Sequence, residues 1–342
     1  MLKYLPIGCT GSGATHTGTD PFDVPLRFRM VKEAGVFDYF DRTPLPGELD
    51  LYKKCSADNA LPIRGGGFFY ALGRDEPLLE WHLRIGAELG AIVHNVQIGT
   101  FDATGKPVSD QQVVDAYLRA YDIGQTLGID ACFEVHVNMW SEHYGRIQRV
   151  AEMVEARGIP YYMTLDCSHI IFKIDNPEEQ AVQNMRAEID AGTLRLDPRE
   201  PNHVCGIWIE RNWIRHCHAR AAAPGGPKNA WMSHPDGRPG RGIQYPFFKP
   251  ERGQWHAEWD EAKLEPWKMV MRQLMRHHAT NPNSTLRQIS TEFIPNPDYG
   301  GGAKYSIFEQ NIACARPGRR RSPPLRIAPA GRMRGPGRSA LR

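Results

Sequence analysis

Short runs rich in β-branched and aromatic residues alternate along the chain with amphipathic stretches of helical period, the sequence form of repeated βα units. Eight such runs fall at residues 5–10, 36–42, 61–68, 91–99, 130–137, 161–168, 213–220 and 287–294. Between them the spacing puts Val114, Tyr117, Leu118 and Tyr121 on one helical face. It does the same for Ile147, Val150, Ala151 and Val154, and for Trp267, Val270, Met271 and Leu274. Several helical stretches stop at a glycine that is followed at once by a strand run, at Gly35, Gly90, Gly128 and Gly158. Glycine adopts the left-handed conformation that ends a helix without a Cβ penalty.

Eight strands with crossover helices build either an open doubly wound sheet or a closed (β/α)8 barrel, and periodicity does not separate the two. A doubly wound dinucleotide binder needs G-x-G-x-x-G after its first strand. Here the segment reads Gly8-Cys9-Thr10-Gly11-Ser12-Gly13-Ala14, without a correctly spaced third glycine. Gly65-Gly66-Gly67 reads as a turn at a strand end. The barrel is therefore the expected architecture, a single domain over residues 1–315.

Two stretches break the rhythm. Residues 221–262, rich in glycine, proline and tryptophan, exceed what a structural connection requires, and such length usually belongs to a lid or binding loop. Trp231 and Trp255 within it are candidates for stacking on a substrate ring, or else for a small core that pins the loop. Residues 316–342 carry nine arginines and no acidic residue, in a low-complexity Arg/Pro/Gly composition that reads as disordered.

That tail changes the reading of charge. The whole chain of 342 residues carries a formal +3, yet without the tail 33 basic side chains face 39 acidic ones. An acidic body argues against a nucleic-acid-binding domain, which carries its basic excess on a folded face. No stretch approaches the roughly 18 apolar residues of a membrane span, and the N-terminus lacks the apolar core of a signal peptide, so a cytoplasmic location is expected. The seven scattered cysteines form no C-x-x-C pair, against both a disulfide framework and a zinc ribbon.

The chemistry concentrates at the ends of the last four strand runs, where barrel enzymes keep their active sites. These runs carry Glu134, Asp166, His218 and Glu292. A carboxylate inside an apolar strand is costly to bury alone. Four ligand-type residues at equivalent positions point to shared coordination of one divalent ion. Three carboxylates and one imidazole favour Mn2+, Mg2+ or Co2+, with Zn2+ also compatible.

On these residues the chain resembles the xylose isomerase-like barrel superfamily, over residues 4–315. The resemblance implies that Glu134, Asp166, His218 and Glu292 are the metal ligands, that Glu134 and Glu292 exchange a substrate proton, and that His169, in Asp166-x-x-His169, contacts substrate hydroxyls. His216, two residues before His218 and on the same face, is a substitute ligand or a supporting residue. His94, Gln97, His136 and Arg220 join the expected substrate-binding set. The sequence departs from the epimerase pattern at two positions. Trp140 and Pro224 stand where those enzymes carry a glutamate and an arginine, with Glu142 and Arg220 close by but not equivalent.

The expected activity is metal-dependent isomerisation or epimerisation of a sugar by proton transfer next to a metal-bound carbonyl and hydroxyl pair. The alternatives are a lyase or C-glycoside-cleaving enzyme acting on a keto-glycoside, and a non-catalytic sugar-binding or complex-forming subunit. The expected partner is a small-molecule sugar, keto-sugar or glycoside. Self-association or a partner subunit is left open.

Overall fold

The computed structural model describes residues 4–20 and 22–319. Eight parallel strands close into a barrel: β1 (Ile7–Thr10), β2 (Tyr39–Asp41), β3 (Ile63–Tyr70), β4 (Val93–Ile98), β5 (Asp130–Glu134), β6 (Met163–Leu165), β7 (Ile214–Ala219) and β10 (Gln288–Thr291). Their order around the barrel is β1-β10-β7-β6-β5-β4-β3-β2, and β1 seals against β10 with Ile7 beside Ile289 and Gly8 beside Ser290. Closure settles the choice between barrel and doubly wound sheet.

Helices wrap the outside because each strand is apolar on that side. Phe133 of β5 packs against Tyr117 of α4 (Asp110–Leu127), with ring centroids 5.1 Å apart. Cys217 of β7 meets Met271 of α10 (Glu265–Thr280) at 3.9 Å. The three predicted apolar stripes face this core: Val114 and Tyr117 are fully buried with Leu118 and Tyr121 partly so, and the stripes at 147–154 and 267–274 are buried throughout. Helix α4 starts at a capping box of Ser109 and Gln112 and stops at Gly128, whose φ is +76°. Gly35, Gly90 and Gly158 also sit at positive φ, as the helix-glycine-strand reading requires.

Side chains on the alternate positions of each strand enter the barrel interior. The Gly65-Gly66-Gly67 reading is corrected here: the triplet lies inside β3, not at its end. Its reason is space. A Cβ on Gly65 would stand 2.7 Å from the Asp41 carboxyl carbon, and one on Gly67 would stand 2.7 Å from Asn95 Cβ. The glycines admit those two polar side chains into the lumen.

Residues 221–262 contain a hairpin of β8 (Asn229–Ser233) and β9 (Pro239–Gly240), followed by a chain that lies across the molecule with Ile243, Gln244 and Tyr245 buried. The last helix, α11 (Ile307–Arg319), extends into the start of the arginine-rich tail; residues 320–342, read as disordered from composition, lie outside the described residues. No helix among the described residues is long and apolar enough to cross a membrane.

Candidate metal centre

Strand parity and barrel closure bring four side chains to one point. Glu134 ends β5, Asp166 follows β6, His218 lies on β7, and Glu292 follows β10. Each offers a ligand atom within 4.8 Å of all the others. His218 Nδ1 stands 2.7 Å from Glu134 Oε1 and 3.0 Å from Glu292 Oε2. Arg220, two residues further on and just past the end of β7, donates from Nη1 to Asp166 Oδ2 at 2.7 Å and from Nη2 to Glu292 Oε2 at 2.5 Å. Its guanidinium also lies 4.2 Å over the Tyr299 ring, so it is fixed by a face as well as by its edges.

The electrostatics follow from burying carboxylates beside cations. Burial alone pushes the Glu134 carboxyl up, but the charge and hydrogen bond of His218 outweigh it and hold the group down at about 2. Asp166 is likewise driven far below the carboxylate range, because Arg220 and then His169 overcome its desolvation. His218 moves the other way. Burial disfavours its charge, yet Glu292 and Glu134 together raise it well above an ordinary histidine, so it stands as an imidazolium between two carboxylates. The surrounding carboxylates thus favour positive charge where the four donors converge.

Glu134 has little freedom left. Its Oε2 accepts from Asn95 Nδ2 at 2.6 Å and from Gln97 Nε2 at 2.5 Å, both from β4. Glu292 is different, with its side chain 15% exposed and facing a cavity of about 530 Å3 at the barrel mouth. Beneath the cluster, Asp41, His216 and His218 form a second convergent trio. Asp41 accepts from Ser290 Oγ and faces His216 Nε2 at 3.4 Å, while Tyr39 OH lies 2.9 Å from Ser290 Oγ.

The cavity sorts the predicted residues. Gln97, His136, His218, Arg220 and Glu292 line it. His94 does not, and its placement corrects the sequence reading: residues 94 and 97 are an odd number apart on one strand, so they face opposite sides. His94 faces the helical layer, where its Nε2 meets Tyr70 OH at 2.7 Å, the same hydroxyl that His82 Nδ1 approaches at 2.8 Å. The inward partner of Gln97 is Asn95, which period-two spacing identifies and the sequence reading passed over.

His169 is also set back from the cavity. Its Nε2 lies 3.2 Å from Asp166 Oδ2 and 3.4 Å from Arg220 Nη1, and its ring packs 4.2 Å from that of His136. It packs against the cluster and is not among the side chains that line the cavity. His216 sits in the floor behind Asp41. Tyr299, whose hydroxyl is 3.1 Å from His136 Nε2, completes the wall and had no sequence signal, since it comes from the irregular chain after β10.

Trp231 and Trp255 are not among the lining side chains, and neither is any other residue of 221–262. Trp255 packs against His256, Tyr245 and Tyr305, and Lys304 Nζ lies 5.1 Å over Trp231. The segment is fastened by Arg241, which bonds Glu142 and Glu179, and Glu142 in turn holds Lys173 at 2.7 Å. Trp140 is buried in the core and Glu142 is engaged by Lys173 and Arg241, so Arg220 alone of the non-equivalent pair lines the cavity.

Fold and lumen together define a closed (β/α)8 barrel with a carboxylate and imidazole cluster at its C-terminal mouth. Solved structures share this fold. The chain is similar to a xylose isomerase domain-containing protein of Salmonella typhimurium LT2 (13% identity, 93% of this chain and 98% of that one, TM-score 0.51). It is similar to the 3-keto-D-glucoside 4-epimerase of E. coli (13%, 92% and 100%, TM-score 0.52) and to a family 2 AP endonuclease of Brucella melitensis (11%, 92% and 99%, TM-score 0.52). No family model matches. Among curated proteins, a polyribonucleotide nucleotidyltransferase of Aquifex aeolicus is 25% identical over 253 residues; the match covers 70% of this chain and only 31% of that protein's length.

Proposed function

We propose that the protein is a divalent-metal-dependent isomerase or epimerase that moves a proton at a carbon beside a carbonyl and hydroxyl pair of a sugar-like substrate. The observation carrying this reading is the convergence of Glu134, Asp166, His218 and Glu292 within 4.8 Å at the barrel mouth. The donor set fits one divalent ion by charge as well as by distance. Three carboxylates against one guanidinium leave two negative charges, which such an ion balances while His218 gives up its proton and becomes a ligand. Oxygen-rich donors suit Mn2+, Mg2+ or Co2+, and Zn2+ is compatible. When bound, the ion supplies the Lewis acidity that makes the C–H beside the carbonyl acidic.

The chain's own residues do the rest. Glu134 and Glu292 flank the centre from β5 and β10, and Glu292 is the better proton acceptor because it faces the cavity while both Glu134 oxygens are held by hydrogen bonds. Arg220, fixed on Asp166, Glu292 and the Tyr299 face, presents a donor to substrate oxygens, and Gln97 and His136 line the same side. His169 positions Asp166 and Arg220.

A second reading shares the first step. Proton removal from a keto-glycoside expels a group on the next carbon instead of returning the proton, and a cavity of about 530 Å3 accommodates such a substrate. One experiment tests both. Metal-loaded protein is incubated in D2O with a panel of ketoses and 3-keto-glycosides, and products are followed by mass and NMR. One deuterium in an isomerised sugar supports the first reading, and a released aglycone supports the second. Metal-loaded protein that leaves every sugar unlabelled and intact would sink both and favour a non-catalytic binding role.

A further inference from the structure

We infer that the half of the cavity facing away from the metal cluster is a binding subsite for a flat aromatic aglycone, so that the substrate is an aryl glycoside and not a free sugar. The inference deepens the proposed function and rests on it for the place of the sugar ring. The closed strand order sets β3 across the barrel from β7 and β2 across from β6. The two sides of the mouth differ accordingly. On the β7 and β10 side the charged lining is His218, Arg220 and Glu292; on the β2 and β3 side Pro44, Leu45, Pro46, Phe68, Phe69 and Leu78 form an apolar patch beside Asp41, Thr43 and His82.

That apolar wall is exposed where a folded protein without a ligand for it would bury or replace it. Phe69 is 59% exposed and Leu45 54%, two large apolar side chains opening on one concavity instead of scattered singly over the surface. Phe68 and Phe69 stack with centroids 4.7 Å apart and planes 12° from parallel, and Phe68 is backed by Tyr70 and His82. The inner ring is thus fixed, and the outer ring is displayed. An aromatic ligand gains offset-stacked or edge-on contact there beyond simple burial.

Size points the same way. A cavity of about 530 Å3 lies in the range that takes up drug-sized ligands, more than a single sugar ring at the metal cluster fills. The remaining volume is the part walled by Phe68, Phe69 and Leu45. Their neighbours Thr10, Ser12 and Arg42 supply polar groups along the path between the two halves.

The test uses unreactive probes, phenyl and methyl β-D-glucoside, titrated calorimetrically into the metal-loaded full-length protein. Phenyl glucoside is expected to bind about tenfold more tightly than methyl. In Phe69→Ala and Leu45→Ser that ratio falls several-fold, whereas Phe69→Trp keeps it; both positions are exposed, so the fold tolerates the changes. Equal affinities in the wild type, or a ratio untouched by Phe69→Ala, would overturn the subsite. Because neither probe turns over, a protein that shows the ratio but fails the deuterium assay retains the subsite and loses only the proton-transfer reading. Deuterium exchange with a ratio near one does the reverse.

Discussion

Two of the charged clusters in this barrel, both near its mouth, are built on opposite principles. At the edge of the mouth, Glu142, Glu179, Lys173 and Arg241 carry two charges of each sign; Lys173 is fully buried, and none of the four lines the cavity. At the centre, Glu134, Asp166 and Glu292 face only Arg220 as a permanent cation, and the group opens on solvent through Glu292. The first cluster is complete as it stands and ties the 221–262 segment to the barrel. The second stays one negative charge in excess even with a proton on His218. Buried charge by itself therefore says little about function, whereas unbalanced charge with access to a cavity says a good deal.

The contrast can be broken at either end. Glu292→Gln is expected to lower metal-dependent exchange of substrate C–H with D2O by about 10²–10⁴-fold while changing stability little; exchange at the wild-type rate would remove Glu292 as the base. Lys173→Met should do the opposite. It leaves Glu142 and Glu179 one charge short in a buried setting and costs about 3–5 kcal/mol in urea unfolding, with metal affinity retained. A loss below 1 kcal/mol would mean the edge cluster is not structural.

Acid sharpens the comparison further. The edge cluster should survive mild acid, because Lys173 and Arg241 overcome the desolvation of Glu142 and hold it at about 2. His82 and His94, which share the Tyr70 hydroxyl, are pushed by burial to about 4 and about 3. Their folded values lie below the unfolded one, so the stability they support is complete above about pH 6.5 and is lost as pH falls toward the folded values. The expected slope is at most about 1.4 kcal/mol per pH unit per histidine. Unfolding free energies that stay flat from pH 6.5 to 4.5 would contradict it. The smallest effect is expected from Tyr299→Phe, which removes the hydrogen bond to His136 but keeps the ring under Arg220, at about 1 kcal/mol in thermal unfolding.

Much of this was legible in the sequence, for identifiable reasons. A glutamate or histidine at the end of an apolar strand run is conspicuous, and that is how Glu134, Asp166, His218 and Glu292 were found. The glycines before strands were legible because left-handed termination leaves a single residue type as its mark. Parity, when ignored, misled: His94 was grouped with Gln97 although their spacing puts them on opposite faces, and Asn95 was missed. Gly65 and Gly67 looked like a turn because the side chains they admit, Asp41 and Asn95, come from other strands. The edge cluster had no sequence signal at all, since its members lie at 142, 173, 179 and 241 and only the closed barrel brings them together. Phe68 and Phe69 carry no mark of a site in the sequence, because aromatic residues are ordinary in a strand and only the fold leaves the outer ring exposed.

The most direct test of the central claim is metal content and affinity. Purified protein stripped with chelator and titrated with Mn2+ should bind one equivalent per chain, with binding lost in Asp166→Asn and His218→Gln and kept in Lys173→Met. Failure of the wild-type protein to bind, or binding that survives both central substitutions, would contradict the account.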